Sequence, residues 1–159
     1  MKALLVIGLG NPLMGDEGVG WHVADELVGD PRLPADAEVV CGGTDLLRCA
    51  ALMERRRRVV VIDALQDDAE PGSVWKFEDR APWGAGAPAG QPLSELADQQ
   101  FNAHGLSAVQ AILLLRTTVT APITLLGISI GRAGGNPGLS PELAVRMQAI
   151  ADRVLQELE

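Results

Sequence analysis

Two hydrophobic patterns alternate along the chain. Short runs dominated by apolar residues stand at 3–8 (ALLVIG), 37–41 (AEVVC), 58–63 (RVVVID) and 123–128 (ITLLGI). Runs of this length, bounded by glycine or charge, suit strands buried on both faces of a parallel sheet. Between them apolar residues recur at helical spacing. Over 17–28, Val19, Val23 and Leu27 recur in this way, as do Trp21, Ala24 and Val28. Over 45–58, Leu46, Ala50 and Met53 face inward, and RRRR closes the segment, where cations suit a helix C-terminus. A helix over 104–116 opens on a capping box, Ser107 to Gln110. The last helix has Ser140 as cap, Pro141 in its first turn and Glu142 near its N-terminus. It carries one stripe of Leu143, Met147, Ile150, Val154 and Leu158. SVWKF at 73–77 adds a short strand after the turn EPG. Residues 78–92, rich in Gly, Ala and Pro and holding Trp83, have no period and read as a surface loop. The order β-α-β-α-β predicts an α/β doubly wound fold, and residues 1–159 read as one domain.

Composition narrows the class. An apolar share of 47% is enough for a filled core and argues against disorder. A formal net charge of −8 lowers the expectation of nucleic-acid binding. Cys41 and Cys49 are not spaced as a C-x-x-C pair, so they read as small buried hydrophobes in a reducing compartment. No apolar run approaches the ~20 residues of a membrane helix, and no small-residue cleavage site follows the first run. The expectation is a cytoplasmic chain with no membrane or nucleic-acid partner, monomeric outside any complex.

The first loop, GLGNPLMGDEGVG (8–20), poses the chemical question. A dinucleotide fingerprint fails, because Leu13 stands at its third glycine and Cys41 and Gly42 stand where an acid would bind ribose. There is no phosphate-loop lysine. Instead the loop carries Asp16 and Glu17. In doubly wound sheets ligands bind beyond the carboxyl ends of the strands, where strand order reverses. Glu17 follows the first strand and Asp63 ends the third, so both point into one crevice. Two carboxylates there repel unless a cation joins them. His104, just before a helix at the same end of the sheet, completes an oxygen-oxygen-nitrogen set suited to a transition metal. Each of the three also has an ordinary reading, as a helix-start acid, a turn cap or a surface histidine. His22, well round its helix from Glu17, reads as a surface histidine.

The chain resembles the hydrogenase maturation endopeptidases, which trim the C-terminus of the nickel-containing large subunit. The resemblance rests on GLGNPLMGDEGVG, GGTDLL (42–47), VVVIDA (59–64), EPGSV (70–74) and HGLS (104–107), in family order along essentially the whole chain. It implies a three-layer α/β sandwich with a mostly parallel central sheet, of phosphorylase/hydrolase-like topology. It implies Glu17, Asp63 and His104 as ligands to a nickel ion already seated in the precursor, so that the metal is supplied by the substrate. It implies a catalytic role for Asp16, Glu17 or Asp63, and contact with the precursor at Gly42, Gly43, Thr44 and Asp45. Family members often carry Gly-hydrophobe-Gln-Pro-Glu after the last strand, where this chain reads GISIGRAGG (127–135). That departure bears on which hydrogenase is served.

Two rivals share parts of the pattern. Peptidyl-tRNA hydrolases also open on GLGNP, but GVGWHVAD lacks their histidine-asparagine pair and the chain is acidic. A non-catalytic α/β module docking on a hydrogenase subunit would need the crevice but not all three ligands. A nucleophile elbow at Ser129 lacks both the following helix and a downstream histidine.

Overall fold

The computed structural model describes residues 1–78, 91–92, 108–131 and 136–159. His104, Trp83, Ser107 and most of the 78–92 loop lie outside the described residues. Six strands form one sheet in the order β2-β1-β3-β6-β4-β5. They are β1 Leu4–Leu9, β2 Ala37–Gly43, β3 Arg58–Gln66, β4 Val74–Glu78, β5 Gln91–Pro92 and β6 Ile123–Ile130. β2, β1, β3 and β6 run parallel; β4 pairs antiparallel with β6.

The apolar runs explain why the sheet is covered on both sides. Successive strand residues point to opposite faces. Leu5, Ile7, Val59, Val61 and Leu125 join one core with Leu46, Met53 and Ile112. Leu4, Val6, Val60, Ile62 and Leu126 join the other with Val19, Val23, Leu27 and Val154. The first layer thus holds α2 (Ala50–Met53) and α3 (Ala108–Leu115), and the second holds α1 (Val19–Leu27), α4 (Pro141–Ala144) and α5 (Met147–Leu158). The expected α/β sandwich is the observed one. Among the described residues no helix is long and apolar enough to cross a membrane.

Besides Glu78 and Gln91–Pro92, which join strands where a loop is expected, three segments differ from expectation. The helix read over 45–58 is a 3-10 turn, Leu46–Cys49, followed by the four residues of α2. It stops because Arg55 takes a left-handed φ of 60° and Arg58 already belongs to β3. The four arginines are therefore not a helix end. Arg56 is a structural clamp: its guanidinium donates to Leu52 O at 2.8 Å and Lys2 O at 2.6 Å, and pairs with Glu38 at 2.7 Å with its side chain 5% exposed. Arg56→Ala strands those acceptors and should cost about 2–3 kcal/mol in urea unfolding. Arg57→Ala, losing only an exposed pair to Asp36, should stay within about 0.5 kcal/mol. The single C-terminal helix is two, broken at Val145 and Arg146, where Arg146 reaches across to Pro71 O and Glu70. The third difference is β3 itself, which runs three residues past Asp63 because β6 continues to pair with it through Gln66↔Ile130.

Candidate active site

Strand order reverses between β1 and β3, which makes their carboxyl ends the switch point of the sheet. The β1–β3 pairing ends at Gly8↔Ile62. Asp63 is thus the first residue of β3 that β1 no longer covers. The space is taken by the glycine loop.

Close backbone approach is what the glycines provide. A Cβ at Gly8 would stand 2.2 Å from Gly20 O, and one at Gly20 would stand 2.4 Å from both Ile62 O and Leu9 O. Gly10, at a φ of 130°, lies against the backbone of Glu17 and Gly18, and its N–H donates to Gly43 O at 2.8 Å. Asn11 turns the loop by accepting from Leu13 N at 2.9 Å. The loop therefore doubles back under a 3-10 turn, Asp16–Gly18, before α1 starts. This presses Glu17 toward the end of β3 closely enough for its charge to act on Asp63.

Asp63 is buried, with 3% of its surface exposed. Its Oδ1 accepts from the N–H of Ala64 at 2.9 Å, and its Oδ2 has no partner among the described residues. Burial pushes its carboxyl up to about 8; the Ala64 N–H opposes this and the charge of Glu17 adds to it. A buried carboxyl with one unspent oxygen beside a second carboxylate is a poor resting place for two negative charges. It is a good one for an arriving cation, and oxygen donors of this kind fit a divalent transition metal.

The remaining sequence-derived candidates fall around this pair. Asp16 is already engaged, its Oδ1 accepting from Ser140 N at 2.7 Å, which ties the loop to the start of α4. Gly42 and Gly43 close β2, and Gly43 holds Gly10 through the bond given above. Thr44 is exposed. Asp45 caps the following turn through Leu47 N at 3.1 Å. Two readings are corrected. Cys41 is exposed on an edge strand, with its thiol 3.9 Å from Trp21 O of α1. His22 is only half-buried, yet its Nε2 is buried without a partner among the described residues, and its ring meets Trp21 edge-on at 5.2 Å. Ser129 lies inside β6, fully buried, and so is no nucleophile elbow. It bonds to Trp75 and Asp67, a group that the sequence analysis passed over.

Comparison with known proteins adds to this geometry. Residues 21–157 match the sequence model of a family described as hydrogenase maturation protease. The hydrogenase 2 maturation protease of Escherichia coli strain K12 is 25% identical over 158 residues, 98% of this chain and 90% of that one. The solved NiFe hydrogenase maturation protease of Thermococcus kodakarensis superposes with a TM-score of 0.74 at 25% identity, covering 98% of this chain and 99% of that one. A solved hydrogenase maturating endopeptidase from Escherichia coli shares the fold with a TM-score of 0.75 at 24% identity, over 98% and 91% of the two chains.

Proposed function

The chain belongs to the hydrogenase maturation protease family, and from that premise we propose that it removes a C-terminal peptide from the precursor of a NiFe hydrogenase large subunit, reading nickel already bound there. The family activity is that of an endopeptidase. The proposal concerns what this chain recognises and with which residues. The observation that carries it is the unspent, buried Oδ2 of Asp63 beside Glu17.

In this reading the free site is held in check by its own electrostatics. Asp63 keeps its proton at neutral pH chiefly because its carboxyl is buried, and the charge of Glu17 adds to the cost of ionising it. A precursor that presents a divalent ion relieves both costs, so Asp63 gives up its proton only when the correct substrate arrives. Glu17 and Asp63 then hold the metal-bearing end of the precursor, and His104 is assigned as the third donor. Nickel in the precursor supplies the positive charge that draws these donors in. A carboxylate at the site takes the proton from the attacking water and returns it to the departing amine, which leaves a new carboxyl end on the large subunit. Asp63 suits that role better than Asp16, whose Oδ1 is committed to Ser140. Gly42, Gly43, Thr44 and Asp45, on the flank of the crevice, are proposed to contact the precursor.

The test is a processing assay on the nickel-loaded and nickel-free precursor, with wild type and Glu17→Gln. Only the loaded precursor should shorten, and Glu17→Gln should slow that by about a hundredfold or more. Equal cutting of both precursors would remove nickel from the recognition step. Binding without any shortening would leave a docking module.

A further inference from the structure

The strand register sets an aromatic ring beside the buried carboxyl. Asp63 of β3 is paired with Gly127 of β6, and Gly127 is paired on its other side with Trp75 of β4. Residues opposite one another on neighbouring strands present their side chains to the same sheet face. The row therefore reads carboxyl, no side chain, indole. Any side chain at position 127 would stand between the other two. Two strand spacings separate Asp63 from Trp75, about 10 Å.

Trp75 is 42% exposed, although Phe77, the next residue on its face of β4, is buried. Nor is the ring free to turn. Its Nε1–H donates to Ser129 Oγ at 2.8 Å, and the Ser129 hydroxyl donates to Asp67 Oδ2 at 3.2 Å. The only polar group of the indole is thereby spent inward. What the ring offers outward is hydrocarbon, held in a fixed position by a buried hydroxyl.

We propose that Trp75 is a specificity-determining residue of the protease, the wall of a subsite that takes an apolar side chain of the precursor close to the scissile bond. This rests on the reading that Glu17 and Asp63 mark that bond. The distance sets how close: an extended peptide advances about 3.3 Å per residue, so the residue against Trp75 lies within about three positions of the bond facing Asp63. Gly127 between them is buried and carries no side chain, so the precursor meets this row at the exposed ring of Trp75. Acidic or strongly hydrated side chains are disfavoured at this position, because the indole gives them no hydrogen bond.

The experiment is steady-state processing of the nickel-loaded precursor by wild type, Trp75→Ala and Trp75→Phe. A set of precursors with Ala at each of three positions on either side of the mapped cut completes it. Trp75→Ala should raise KM about tenfold, the size expected for losing roughly 55 Å² of apolar contact with the ring, with kcat within about twofold. Trp75→Phe should recover KM to within about threefold. One apolar precursor position, replaced by Ala, should raise KM for wild type but not for Trp75→Ala. An unchanged KM, or no precursor position coupled to Trp75, overturns the proposal. So does a fall in kcat that tracks a lower melting temperature, which would assign the ring to packing. Failure of wild type to cut any precursor would instead overturn the parent reading, so the two failures are distinguishable.

Discussion

At pH 8, Asp63→Asn should melt about 5 °C above the wild-type chain and process no precursor. The first half follows from burial. In the unfolded chain Asp63 ionises near 3.9; folded, its carboxyl is pushed up to about 8 by burial and by the neighbouring charge of Glu17. A carboxyl raised on folding supports the fold fully below its unfolded pKa, and that support is lost as pH climbs through the folded value. Between pH 4 and pH 8 the folded chain must therefore hold a proton that water would remove. At pH 8 the burden is on the order of 4 kcal/mol. Asparagine has nothing to ionise, but its buried amide N–H goes without an acceptor at some 1–3 kcal/mol. The net gain is about 2 kcal/mol, which for a chain of this size is about 5 °C. Near pH 4 the acid is protonated in the folded chain and in about half of the unfolded molecules, so the burden falls to a few tenths of a kcal/mol and the gain should vanish or reverse. Melting curves of both proteins from pH 4 to pH 8, with chelator present, measure this directly. Parallel curves would mean that Asp63 is not held neutral in the fold. The second half follows from chemistry: an amide holds a cation poorly and takes no proton from water.

A residue that the fold would be more stable without is where sequence reasoning and structure meet. Asp63 was legible because it interrupts the most apolar run of the chain, just where a parallel strand should open to ligand. Glu17 was legible because two acids in a glycine loop have no phosphate to serve. The sheet was legible for a related reason: runs buried on both faces need no periodicity beyond their own apolarity. What sequence could not show were features set by long-range pairing. Ser140 reaches Asp16 across 124 positions, and Ser129 reaches Asp67 across 62. Nothing local in SVWKF marks Trp75 as half-exposed. The arginine run misled for a physical reason. Four cations suit a helix C-terminus, yet Arg55 turns the chain out of the helix and Arg56 clamps Leu52 O of α2 and Lys2 O just before the first strand. His104 belongs to the residues not described, so its place beside Asp63 stands as a proposal.

Gly20→Ala should be among the most damaging single methyl additions at the described glycines. A Cβ there would lie 2.4 Å from Ile62 O and 2.4 Å from Leu9 O, and both are backbone atoms of strands held in the middle of the sheet. Neither can swing aside as a side-chain tip could, so α1 must lift from the sheet. Overpacking of this kind should cost about 3 kcal/mol or more, lowering the melting temperature by about 10 °C. Gly29→Ala is the control. Gly29, unlike Gly20, has a positive φ, 82°, but nothing lies within 4 Å of its Cβ position, so only the local strain of about 1 kcal/mol applies. The two variants separate space from backbone freedom as reasons for a glycine at either end of α1. Activity should part them further. Lifting α1 moves Glu17 away from Asp63, and a displacement of about 1 Å at a reacting centre can cost about a hundredfold in rate. Gly20→Ala, assayed well below its melting point, should therefore process precursor far more slowly than its folded fraction predicts, while Gly29→Ala keeps pace with wild type. If both variants lose activity only in proportion to stability, the close approach of α1 to β3 serves the core alone, and Glu17 needs some other means of reaching the crevice.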